Sequence, residues 1–162
     1  MDKSHGFTMI ELLVVISILA IMASIAAPYM SDFINKNRSR AIASTLMNDM
    51  RLAQSEAIKM NRRVNVCAAN AAHTDCVNTT DWGVNGWLVC ADLAGVCDPA
   101  LNAIAIRSPV QNNFTVTAGA VTAVIYRPIG TVLNAQTINV AGGNGTVFGA
   151  VTVAATGMVT YK

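Results

Sequence analysis

The hydrophobic and polar positions divide this chain into stretches with different periods. Leu12 through Met30 carries no charged residue, and these nineteen positions, at about 1.5 Å each in a helix, nearly span a hydrocarbon core of ~30 Å. Beyond them the pattern becomes amphipathic. Ile34, Ile42, Leu46, Ala53, Ala57 and Met60 recur at helical spacing, with Phe33, Ala41 and Met50 at the margins and no Gly or Pro between residues 31 and 61. The two stretches predict one helix from Phe7 to Asn61, roughly 50 residues and about 75 Å long. Pro28 is the expected kink, because it removes one backbone donor near the end of the apolar run.

The period changes after Arg62-Arg63. Short β-prone runs follow at 64–68, 87–91, 103–107, 114–117, 121–126, 137–140, 147–154 and 158–161. Glycine and asparagine punctuate them, as in Asn85-Gly86, Gly130, Gly142-Gly143-Asn144-Gly145 and Gly157. The reading is an α+β protein. Residues 1–6 form a polar leader, 7–30 a transmembrane helix and 31–61 its amphipathic continuation. Residues 62–162 form an antiparallel β head whose inner face covers that continuation.

Composition refines this picture in two respects. Hydrophobic residues make up 53% of the 162 and charged residues 12%, with a net charge of +2. That balance argues against a bulk electrostatic binder of nucleic acid or anionic lipid. The cysteines matter more. Cys67, Cys76, Cys90 and Cys97 all follow the apolar run, and an even count in an exported region reads as disulfides. Four cysteines allow three connectivities. The short separations suit two local bridges, Cys67–Cys76 and Cys90–Cys97, worth roughly 2–3 kcal/mol each by loop entropy. A zinc site is the rival, but neither pair has the short spacing that structural zinc prefers. Lys3 and the Lys36, Arg38, Arg40 cluster pull in opposite directions under the positive-inside rule, so the cysteines decide that the C-terminal part is exported. A cleaved signal peptide is the poorer fit: the leader is very short, and only the Ala-rich positions 23–27 imitate a cleavage site.

One carboxylate interrupts the apolar pattern. Glu11 stands at the front of the run, in Gly6-Phe7-Thr8-Met9-Ile10-Glu11-Leu12-Leu13-Val14. A charge at the mouth of such a helix is costly and calls for a partner; the bland alternative is a glutamate reaching back to the headgroups. This segment closely resembles the class III signal of type IV pilins and type II secretion pseudopilins. It combines a short basic leader, glycine before phenylalanine, and glutamate five positions after that glycine. The resemblance implies that a prepilin peptidase cuts between Gly6 and Phe7 and methylates the new amino group of Phe7. It also implies that Glu11 meets the charged N-terminus of a neighbouring subunit, and that Pro28 matches a helix-breaking proline common in the family. The implied location is the bacterial inner membrane, single-pass, with the head in the periplasm, and then a pilus or pseudopilus. The implied partners are other pilin or pseudopilin subunits.

Downstream, Leu52-Ala53-Gln54-Ser55-Glu56-Ala57-Ile58, Arg63-Val64-Asn65-Val66-Cys67, Trp82-Gly83, Gly86-Trp87-Leu88-Val89 and Asp92 are similar to the GspH/FimT group of minor pilins and pseudopilins. After residue 95 the similarity is looser, with Arg127-Pro128-Ile129-Gly130 and Thr156-Gly157-Met158-Val159 matching two late glycine turns in outline. The FimT-type members imply a second reading, a DNA-binding minor pilin acting in uptake. Here the C-terminal segment Gly157-Met158-Val159-Thr160-Tyr161-Lys162 lacks the arginines of that group, which leaves Arg107, Arg127 and Lys162 as the candidate phosphate contacts. Trp82 and Trp87 are expected to pack around a hairpin turn at Asn85-Gly86 rather than to form a binding surface. Nothing points to an enzyme, a cofactor or a metal-dependent activity: His73 is the one histidine beyond the leader, and no nucleophile elbow or phosphate loop is present.

Overall fold

The computed structural model describes residues 7–92, 97, 102–110, 114–142 and 145–162, leaving aside the side chains of 26–28. Gly6 lies outside the described residues. Among the described residues one helix, α1, runs Met9–Met60, and eight strands follow. The chain divides into two compact units with the boundary between Lys36 and Asn37. Each is taken by itself below.

In the first unit α1 is assigned as helix continuously, Pro28 included. From Phe7 to Ile25 every side chain is exposed. Two hydroxyls in this apolar stretch bond back to the helix, Ser17 Oγ to Leu13 O at 2.8 Å and Ser24 Oγ to Ile21 O at 2.7 Å. They therefore carry no unmet hydrogen-bonding demand into an apolar environment.

In the second unit α1 ends by a Schellman motif. Asn61 adopts φ 50°, its N–H bonds Ile58 O at 3.3 Å, and Arg62 N–H reaches Ala57 O at 3.2 Å. Asparagine tolerates the left-handed conformation better than most residues, so the helix stops here without a glycine. The strands are β1 (Val64–Ala68), β2 (Trp87–Ala91), β3 (Ala103–Ile106), β4 (Phe114–Ala118), β5 (Ala123–Tyr126), β6 (Gln136–Gly142), β7 (Val147–Val153) and β8 (Val159–Tyr161). They form two four-stranded antiparallel sheets, in the orders β3-β2-β1-β5 and β4-β6-β7-β8. The expected strand segments are thus all present, with ends shifted by a few residues.

Both sheets and α1 share one core. Leu46, Met50, Ala53 and Ala57 of the helix pack with Val64, Val66, Val89, Val116, Val124, Ile138, Val140 and Val151. Burying Leu46 and Met50 completely contributes about 1.5–3 kcal/mol each. The buried stripe differs from the expected one. It runs Ser39, Ala43, Leu46, Met50, Ala53, Ala57, whereas Ile34 and Met60 are exposed and Ile42 is only partly buried. Alternating steps of four and three place these residues on one face. Small residues at 39, 43, 53 and 57 let the sheets approach the helix closely, a role that a hydrophobicity pattern underweights.

The tryptophans also depart from expectation. Both are buried, but they do not flank a hairpin. Trp82 N–H bonds Val116 O at 2.7 Å beside the Asp81–Thr117 bridge, while Trp87 opens β2 in the other sheet. Residues 82–87 therefore cross from one sheet to the other.

The two late glycine turns converge on the helix. Gln54 Nε2 donates to Gly130 O at 2.8 Å. Gly157 has φ +85°, and a Cβ there would collide with Gly130 O and crowd Gln54 Nε2. Gly157→Ala is therefore expected to destabilise the chain by about 1–3 kcal/mol from backbone strain, before the collision is counted. Thermal unfolding of the two proteins side by side would check this, and an unchanged midpoint would contradict it.

Candidate assembly site

The N-terminal turn is built by a cap. Thr8 precedes the first helical residue, and its Oγ1 accepts the Glu11 N–H at 3.3 Å. This satisfies one of the orphan donors of the first turn, and Glu11 sits where a carboxylate complements the positive end of the helix dipole. The role of Thr8 was readable in Thr8-Met9-Ile10-Glu11 as a capping box but is easily overlooked beside the processing signal. Phe7 and Glu11 are both exposed at this end, and so are the apolar side chains that follow them up to Ile25. Among the described residues one helix, α1, is long and apolar enough to cross a membrane.

The head holds a buried polar strap. Asp49, 1% exposed, accepts Trp87 Nε1–H at 2.8 Å and both Arg107 Nε–H at 2.8 Å and Nη2–H at 2.6 Å. The carboxylate thus ties α1 to the start of β2 and the residue following β3. Hydrogen bonding to Asp49 raises the Arg107 pKa above its ordinary value, against the opposing effect of burial. A mostly apolar groove of about 420 Å³ adjoins the strap, walled by Arg38, Ile42 and Thr45 on the helix and by Trp87, Pro109 and Phe114 opposite. Sequence reading singled out neither Asp49 nor this groove. The signal was an aspartate amid the buried stripe of an amphipathic helix.

The remaining candidates separate in space. Arg107 is engaged by Asp49 at the end of β3, and Arg127 is exposed just after β5. Those strands are the two opposite edges of the first sheet, while Lys162 follows β8 at the edge of the second. The structure joins Cys67 to Cys76 and Cys90 to Cys97, with Cα–Cα separations of 5.7 Å in both.

Comparison with known proteins bears on this arrangement. A family model described as type II transport protein GspH matches residues 43–157, spanning the strap and every strand but β8. This chain belongs to the GspH family. A second model, the prokaryotic N-terminal methylation motif, matches residues 1–27 of this pilin-like subunit. Fimbrial protein Q of Moraxella bovis is 33% identical over 88 residues, 51% of this chain and 53% of that protein. The type IV major alpha-pilin of the same organism is 41% identical over 46 residues, 28% of this chain and 29% of that one. The aligned parts thus span about half, or less, of these curated relatives. The type IV minor pilin FimU of Pseudomonas aeruginosa superposes with a TM-score of 0.63, covering 80% of this chain and 92% of that chain at 18% identity. A second crystal form of FimU gives 0.53 at 19% identity, with 76% and 91% covered. The GspH-family subunit has the pilin fold, a long N-terminal helix followed by antiparallel sheets.

Proposed function

We propose that this GspH-family chain is a filament subunit, released for assembly when prepilin peptidase cuts between Gly6 and Phe7 and methylates the Phe7 amine. The observation that carries the reading is the capped first turn. Glu11 is held at the front of an apolar stretch, residues 7–25, whose side chains are all exposed in the structure. Such a surface is stable in lipid before assembly and among other helices after it. Moving from one to the other brings the Phe7 ammonium of one subunit and the Glu11 carboxylate of another into an apolar bundle, where each neutralises the other. The chain resides in the inner membrane with its head in the periplasm until assembly. The named fimbrial relatives favour a type IV pilus over a type II secretion pseudopilus. A role as a DNA-binding minor pilin has less support, since the Arg107 charge is matched by Asp49 and the other two cations lie on other sheet edges.

The test is the mature N-terminus. Mass spectrometry of the membrane-extracted protein should find residues 1–6 absent and one methyl group on Phe7. An intact Met1, or a cut near Ala27, would refute the assignment.

A further inference from the structure

The four cysteines converge more closely than two separate bridges require. Cys67 and Cys90 are diagonal neighbours on adjacent strands, since Cys67 pairs with Leu88 and Cys90 with Asn65. Their side chains lie on the opposite face of the sheet from Val64, Val66 and Val89, in a small cluster with Ala69, Leu88 and Cys97. Cys76 arrives beside them through the Ala69–Cys76 bridge. All four Sγ atoms lie within 4.8 Å of one another, and Cys67, Cys90 and Cys97 are buried.

We propose that, when reduced, these four sulfurs form a tetrathiolate site for one soft divalent cation of the zinc type. The two disulfides and the ion are then alternative occupants of the same space. A tetrahedral zinc site has Zn–S bonds of ~2.3 Å, which sets the sulfurs about 3.8 Å apart. The sulfurs of different bridges already lie within 4.8 Å of one another, and those within a bridge need only part once their bond is broken. Cys67 and Cys90 are fixed by the β1–β2 ladder, whereas Cys76 and Cys97 lie outside the strands and can adjust. The donor set is all sulfur, which favours zinc or cadmium over calcium or magnesium. The spacing along the chain argued against zinc; the sheet register supplies the proximity that the spacing lacks.

The chemistry balances as follows. Two dithiol molecules each reduce one bridge, giving four cysteine thiols and two cyclic disulfides. The cation then binds as the four thiols release four protons. In the reverse direction, two disulfide oxidants take up four electrons, both bridges form and the ion is expelled. Every chain is made with thiols, so the four-thiol form that could take up the ion precedes the bridges.

The test uses the full chain in detergent micelles, reduced anaerobically with a phosphine, freed of reductant and titrated with Cd²⁺ alone. One Cd²⁺ per chain with a thiolate-to-cadmium absorption band is expected, together with a native near-ultraviolet signal from Trp82 and Trp87. If reduction by itself abolishes that signal, Cd²⁺ must restore it. Cys90→Ser and denaturation in urea should each weaken binding at least about tenfold, because the folded sheet assembles the site. The oxidised chain should take up none. Absence of the band, failure to restore the tryptophan signal, binding undiminished in urea or by the serine variant, or uptake by the oxidised chain would each overturn the proposal.

Discussion

Glu11→Ala protein should still be cut after Gly6 and still reach the membrane, yet enter filaments at least about tenfold less efficiently. Removing one partner of a desolvated ion pair costs about 3–5 kcal/mol where the other charge remains buried, and a tenfold loss is a modest fraction of that. In the lipid-embedded monomer the substitution costs little, because the exposed carboxylate has no ion-pair partner to lose among the described residues. The defect should therefore appear at assembly and not before. Two further variants separate charge from helix geometry. Glu11→Gln retains a polar side chain of the same shape and should fail almost as badly. Thr8→Val removes the hydroxyl that accepts the Glu11 N–H, at about 1 kcal/mol of helix stability, while leaving the carboxylate in place. It should be the milder defect. The measurement is the ratio of filament-associated to membrane-associated protein by immunoblot. Normal incorporation of Glu11→Ala would mean that the carboxylate only reaches toward the headgroups.

Asp49→Ala is expected to be the most damaging single change in the head, at about 2–3 kcal/mol. It strands a buried indole N–H and removes the bidentate partner of Arg107. The figure lies below the usual cost of breaking a buried pair because the Arg107 side chain is 42% exposed, so water supports part of its charge. Asp49→Asn should cost less, since an amide oxygen still accepts from Trp87. Combining Asp49→Ala with Arg107→Ala should cost less than the sum of the two, because each alone leaves the other charge without its partner. Urea unfolding of the full chain in detergent, followed by tryptophan fluorescence, would measure all of these. Additive losses would show that the strap does not act as a unit.

The particular residues show what a pattern can and cannot carry. The end of α1 was placed within a residue because Arg62-Arg63 coincides with the change of period. The strands were legible from runs such as Phe114-Thr115-Val116-Thr117, whose alternation matches buried and exposed positions one for one. On the buried face of α1, Leu46, Ala53 and Ala57 follow the hydrophobic pattern, while Ser39, Ala43 and Asp49 escape it because they weigh little on a hydrophobic scale. Arg107 stood out as a cation available to phosphate, and the structure pairs it with an aspartate 58 residues away. No local rule reaches across that separation. The Trp82–Trp87 segment followed hairpin chemistry in its Asn85-Gly86, but the neighbouring strand to which each end bonds depends on the two-sheet topology.

The sequence by itself determined the elements and the N-terminal motif. Both are local: a membrane-length apolar run, a carboxylate five positions after a glycine, a change from helical to alternating period, and an even set of cysteines. Only the tertiary structure decided which helix face is buried, that Asp49 binds both Trp87 and Arg107, that two glycine turns close on Gln54, and that four cysteines spaced unlike a metal motif share one small volume. Those features depend on strand order and register, and register is fixed by the joint packing of both sheets against α1 rather than by any one segment.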